Sequence, residues 1–154
     1  MKKRLQSWVV FYLPPFAYMA VIFCVSAMSN PTFQGETPDY VLHAVEYFLL
    51  ALLLLRALLA RGLPDRRFAA WQRVCLFGAL CAVAYGLTDE LHQYFVPGRH
   101  CSLHDVFADA FGAFAAYGVG CLDYVVWQRV YGLNERRPRL LFFKWLSYAA
   151  YMSI

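Results

Sequence analysis

The feature that most constrains this chain is an uncharged run of 21 residues, from Trp8 to Met28. About 20 apolar residues in a helix cross the roughly 30 Å hydrocarbon core of a bilayer. Helices satisfy every backbone hydrogen bond internally, so such a run reads as a spanning helix rather than a strand or loop. Pro14 and Pro15 interrupt it and predict a kink, because Pro15 removes a donor and crowds the preceding turn. Val25-Ser26-Ala27 is compatible with a signal-peptide cleavage site, but a signal core is only about 7–15 residues long and three further apolar runs follow. These cover about 40–60, 71–95 and 106–126. The composition agrees: 61% hydrophobic and 16% charged over 154 residues, against about 25% charged for ordinary soluble domains. This composition argues against a soluble single-domain enzyme and excludes a disordered chain. The expected fold is all-α, a single membrane domain over 1–154 built as a four-helix bundle.

Basic residues set the sidedness. Lys2, Lys3 and Arg4 precede the first span; Arg56, Arg61, Arg66, Arg67 and Arg73 flank the second connection; Arg129, Arg136, Arg137, Arg139 and Lys144 follow the fourth span. Only Arg99, of 14 Lys and Arg, falls on the opposite side. By the positive-inside rule both termini are cytoplasmic, in a multi-pass protein of the bacterial cytoplasmic (inner) membrane. Because these charges flank apolar spans, the net +4 concerns topology and implies no nucleic-acid partner. Residues 140–154 are apolar but short, about 22 Å as a helix. With Lys144 inside them, they read as an interfacial helix in preference to a fifth span.

The acids run the other way. Glu36, Asp39, Glu46, Asp89, Glu90, Asp105 and Asp109 fall on the outer side, with His43, His92, His100 and His104. Ionisable groups inside a span cost about 2.5–3.5 kcal/mol each at its centre, so groups kept near it need partners or a function. His43 and Glu46 are three residues apart with Tyr47 beside them, and Asp89, His92 and Gln93 form an i, i+3, i+4 set with Tyr85 one turn deeper. Asp105 and Asp109 are four apart. Glu90 points about 100° from Asp89, so both acids face one pocket only if it is wide. Arg99, after the Pro97-Gly98 turn, and Ser102 complete the candidate polar cluster. Ala108, Gly112, Ala116 and Gly120 form a small-residue stripe for close helix packing. The five cysteines show no CxxC pair and no zinc spacing. Cys24 and Cys101 lie near the outer face, where an oxidised pair is conceivable.

Three stretches now carry a resemblance. They are Asp39-Tyr-Val-Leu-His43-Ala-Val-Glu46-Tyr47, Thr88-Asp89-Glu90-Leu-His92-Gln93 on to Pro97-Gly98-Arg99, and Ser102-Leu-His-Asp105-Val-Phe-Ala-Asp109-Ala-Phe-Gly112. In order and spacing the chain resembles the VanZ-like family of small bacterial membrane proteins, over about 8–126. Asp109 is a departure, since the family pattern often has asparagine there. The resemblance implies a link to glycopeptide resistance, chiefly to teicoplanin, and supplies no catalytic assignment.

Two functional readings compete. In the first, an outer pocket recognises a polar head group on lipid-linked envelope material. Arg99 pairs with a phosphate or carboxylate through its planar fork, and His43, Gln93 and Ser102 add hydrogen bonds. In the second, His43, Glu46, Asp89, Glu90, His92, Asp105 and Asp109 serve an intramembrane enzyme as an acid–base or divalent-metal centre. Against it, no cofactor motif is present, the His-x-x-Glu order is opposite to that of carboxylate metal bundles, and Ser102 is the one obvious nucleophile. A purely structural network, with Arg99 against Asp105 and His43 against Asp89 or Glu90, is the plain alternative. Transport is poorly supported by four helices without a central polar stripe. The implied partners are the bilayer and envelope components or the antibiotic.

Overall fold

The computed structural model describes residues 2–29, 38–60, 67–99 and 101–131. They form four helices: α1 (Lys2–Ser26), α2 (Asp39–Leu58), α3 (Phe68–Tyr94) and α4 (Leu103–Tyr131). All four are long and apolar enough to cross a membrane, and no strand occurs among the described residues. α1 continues through Pro14 and Pro15 as one helix. α3 and α4 begin three residues earlier than the apolar runs suggested, and α4 extends to Tyr131: Phe68, Ala69 and Ala70 lengthen α3, and polar residues such as His104, Asp105, Gln128 and Arg129 continue α4 beyond its hydrophobic stretch. Residues 140–154 lie outside the described residues.

α4 packs most extensively on α2 and then on α3. The small-residue stripe explains why. A Cβ added at Gly112 would overlap the Ala44 carbonyl oxygen, and one at Gly120 would lie 2.9 Å from Cys75 Sγ. Ala113 and Ala116 are fully buried beside them. Close approach of backbones replaces the hydrophobic force that lipid cannot supply between helices. One apolar core gathers Ile22, Tyr47, Leu50, Ala51, Ala82 and Ala116. A second, toward the other end, gathers Leu55, Leu59, Trp71, Cys75, Tyr124 and Trp127. Trp71 Nε1 there donates to the Gly120 carbonyl at 2.8 Å.

α1 is peripheral. It is tied on by Arg56, whose Nη1 donates to Val10 O at 2.7 Å and whose guanidinium lies over Phe11. Tyr85 adds a bond from its hydroxyl to Met19 O. Phe77, Leu91, Phe107, Phe111 and Leu122 point away from the bundle, which in a spanning helix means toward acyl chains. Successive helices alternate in direction, so α1 and α3 end where α2 and α4 begin. Gly98 next to Ser29 and His92 stacked on Phe23 mark that shared end.

Candidate functional site

The shared end holds the polar cluster. Its placement follows from short local rules. Val96-Pro97-Gly98-Arg99 closes with Arg99 N–H donating to Val96 O at 3.1 Å, and Gly98 has φ +83°. Proline then a left-handed glycine is the arrangement of a type II turn. The turn brings Arg99 back over the end of α3. Its Nη2 donates to Gln93 Oε1 at 2.9 Å, and Gln93 Nε2 donates to Asp89 Oδ2 at 2.9 Å. Ser102 begins α4: its hydroxyl accepts from His104 N–H at 3.1 Å, as an N-cap does, and its own N–H donates to Glu90 Oε2 at 3.0 Å.

His43 stands between helices. Its Nδ1 is 2.9 Å from Asp109 Oδ1 on α4 and 3.9 Å from Glu90 Oε1 on α3. All are deeply buried, with exposures of 4% for His43, 2% for Glu90 and 1% for Asp109; Asp89 and Gln93 are buried as well. Gly86 makes the room, since a Cβ there would lie 2.7 Å from Asp109 Oδ2 and 3.1 Å from Tyr47 Cε1. A ring nitrogen of His43 is also within 4.8 Å of carboxylate oxygens of Asp39 and Asp105. Several buried atoms have no hydrogen-bond partner: Tyr47 Oη, Asp89 Oδ1, Glu90 Oε1, Asp109 Oδ2, His92 Nδ1 and Arg99 Nε. Buried polar atoms are nearly always satisfied, so such a concentration sets this end of the bundle apart from its apolar cores.

The predicted residues do not all share one point. His43, Glu90 and Asp109 meet directly, and Asp89, Gln93 and Arg99 form a chain beside them. Glu46 is half-buried and within electrostatic range of His43, Asp89, Asp109 and Arg99. Asp105 is half-buried in the first turn of α4. His92 departs from its helical neighbours Asp89 and Gln93 and stacks on Phe23 of α1, ring centroids 4.3 Å apart. Among the described residues Arg99 pairs with no carboxylate, Asp105 included, and His43 pairs with Glu90 rather than Asp89. The structural network expected at Arg99 is therefore absent in that form. Glu36 and His100 lie outside the described residues, and Cys24 and Cys101 are free thiols. Gly86 had not been expected to matter; a glycine one turn before Asp89-Glu90 was its signal.

A groove of about 660 Å³ runs along the lipid-facing seam of α2 and α4, lined by Val41, Ala44, Phe48, Ala108, Phe111 and Gly112 among others. Tyr40 and His104 meet edge to face within its lining.

A family model described as VanZ/LLP1 matches residues 3–125. The chain belongs to the VanZ-like family. The match runs through all four helices and every residue of the polar cluster. No curated protein and no solved structure matches the chain. Membership and the four apolar helices together establish a multi-pass membrane protein of the VanZ-like family.

Proposed function

We propose that this VanZ-like protein recognises an anionic head group, on a lipid or lipid-linked envelope component, at the outer face of the bacterial cytoplasmic membrane. The orientation, with both termini inside, rests on thirteen basic residues on one side of the spans and Arg99 alone on the other. One observation carries the recognition reading: Arg99 stands among acids without pairing to any described one. Gln93 holds it, and its Nε is buried without a partner. A guanidinium kept oriented and in direct contact with no described carboxylate has spare donors for a phosphate or carboxylate, where its fork gives two parallel bonds. The apolar groove of α2 and α4 has a volume within the usual range for ligand sites and suits a lipid chain. A family linked by name to glycopeptide resistance favours envelope material as the ligand, with teicoplanin susceptibility as the visible consequence.

Teicoplanin susceptibility of a sensitised host expressing Arg99→Lys tests this reading, alongside protein yield. Lysine keeps the charge and loses the fork. The expected result is normal yield with most of the protective effect gone. Full effect at normal yield overturns recognition through Arg99. Loss that tracks loss of folded protein assigns Arg99 to structure.

A further inference from the structure

We propose that His43, Glu90 and Asp109 form a binding site for one divalent transition-metal ion, zinc or manganese. His43 Nδ1, Asp109 Oδ1 and Glu90 Oε1 come from α2, α4 and α3, and one donor atom from each residue lies within 4.8 Å of the others. A tetrahedral ion with bonds of about 2.0–2.2 Å holds its donors about 3.4 Å apart. The observed 2.9 and 3.9 Å bracket that spacing.

A cluster of acids alone would not identify a ligand. Here Glu90 is 2% exposed, and its Oε1 has no hydrogen-bond partner although it faces His43 Nδ1. Its other oxygen is held by Ser102 N–H, so the carboxylate is oriented with one donor left over. Asp109, 1% exposed, likewise keeps an unpartnered Oδ2. Charge points the same way. Two buried carboxylates and a neutral imidazole carry two negative charges, which a divalent ion cancels and a proton on His43 only halves. Uncompensated charge in such a setting is expensive.

The donor set narrows the ion. Carboxylates alone suit magnesium and calcium, whereas an imidazole favours zinc and its transition-metal neighbours, with manganese at the oxygen-preferring end. Asp39 and Asp105, with carboxylate oxygens within 4.8 Å of a His43 ring nitrogen, add negative charge around the histidine, which favours a cation there. The site links three helices at the polar end, and it does not depend on the head-group reading, which rests on Arg99.

The test uses the full-length chain in mild detergent, without a histidine tag and stripped with a chelator. Zn²⁺ alone and Mn²⁺ alone are then titrated, with bound metal counted by elemental analysis and the melting temperature followed. One ion per chain is expected, with a rise in melting temperature that chelator reverses. Removing a neighbour of a metal ligand typically costs ten- to a hundredfold in affinity, so Glu90→Gln and Asp109→Asn should each weaken binding about a hundredfold or more. Glu90→Gln retains an oxygen for Ser102 N–H and guards against a folding failure. His104→Gln, changing a nearby exposed histidine, should leave metal content unchanged. X-ray absorption of the loaded protein should show one nitrogen and two oxygen donors from the chain. Folded wild-type protein that takes up neither metal overturns the proposal. So does uptake that persists in folded Glu90→Gln and Asp109→Asn, or disappears in His104→Gln. Full protective effect in Arg99→Lys with normal metal uptake would leave the metal site standing and remove only the head-group reading.

Discussion

Replacing Gly112 with alanine tests how the polar end is held together. The added methyl would overlap the Ala44 carbonyl oxygen and come within 2.9 Å of Phe48 N. Both obstructing atoms belong to the α2 backbone, so no side chain can rotate aside and the helices themselves must separate. Alanine in place of an ordinary helical glycine is worth about 0.5–1 kcal/mol in favour. Overpacking typically costs about 1–3 kcal/mol, occasionally more. With backbone as the obstacle the upper part of that range applies, and the net loss is about 2 kcal/mol. Gly118 is the internal control on the same helix, because nothing lies within 4 Å of its added methyl. Gly118→Ala should be neutral or slightly stabilising. The assay is reversible unfolding in mixed micelles for both variants. The separation should also reach the site, since Asp109 lies one turn from Gly112 and bonds His43, the neighbour of Ala44. Equal stability of the two variants would refute close α2–α4 contact as the basis of the fold.

Three further outcomes follow from the same geometry. His43→Leu leaves Asp109 and Glu90 buried without their shared partner and should cost about 3–5 kcal/mol; adding Asp109→Leu should recover much of that, as a double-mutant cycle will show. Tyr47→Phe removes a fully buried hydroxyl that has no partner, so thermal stability should hold or rise; a clear loss would mean that the hydroxyl has a structural partner. For topology, a membrane-impermeant thiol reagent on spheroplasts should label exposed Cys101 and spare buried Cys75. Slight desolvation and the neighbouring Glu90 carboxylate push the Cys101 thiol up. Less of it is therefore thiolate at neutral pH, and labelling should accelerate as pH rises through and beyond the ordinary cysteine range. Labelling of Cys75 with Cys101 spared would reverse the orientation.

The spans were legible because length and apolar content nearly suffice to define a membrane helix. Which polar residues share a helix face was legible from spacing, as with Asp89 and Gln93, four apart and hydrogen-bonded. The rotation of each helix was not. Exposed Phe77 and Leu80 alternate with buried Gly78 and Ala79, and lipid and core are both apolar, so hydrophobic periodicity does not tell inside from outside. Hence spacing grouped His92 with Asp89, whereas the helix turns it to Phe23. The role of Gln93 as an intermediary between Arg99 and Asp89 depends on how tightly the Pro97-Gly98 turn folds back. Charge counting alone favours a direct Arg99–carboxylate pair, which the described residues do not form.

Head-group recognition is tested most directly by measuring lipid binding itself. Purified, delipidated wild type and Arg99→Lys would be titrated with an anionic phosphate-bearing lipid and with a zwitterionic one, and bound lipid counted by native mass spectrometry. Losing the guanidinium fork removes a charge-assisted contact worth about 1.5–3 kcal/mol, roughly ten- to a hundredfold in affinity. The predicted result is preferential binding of the anionic lipid by wild type, weakened by that factor in a folded Arg99→Lys protein. Equal affinity of both proteins for the anionic lipid, or no preference between the lipids in wild type, would contradict it.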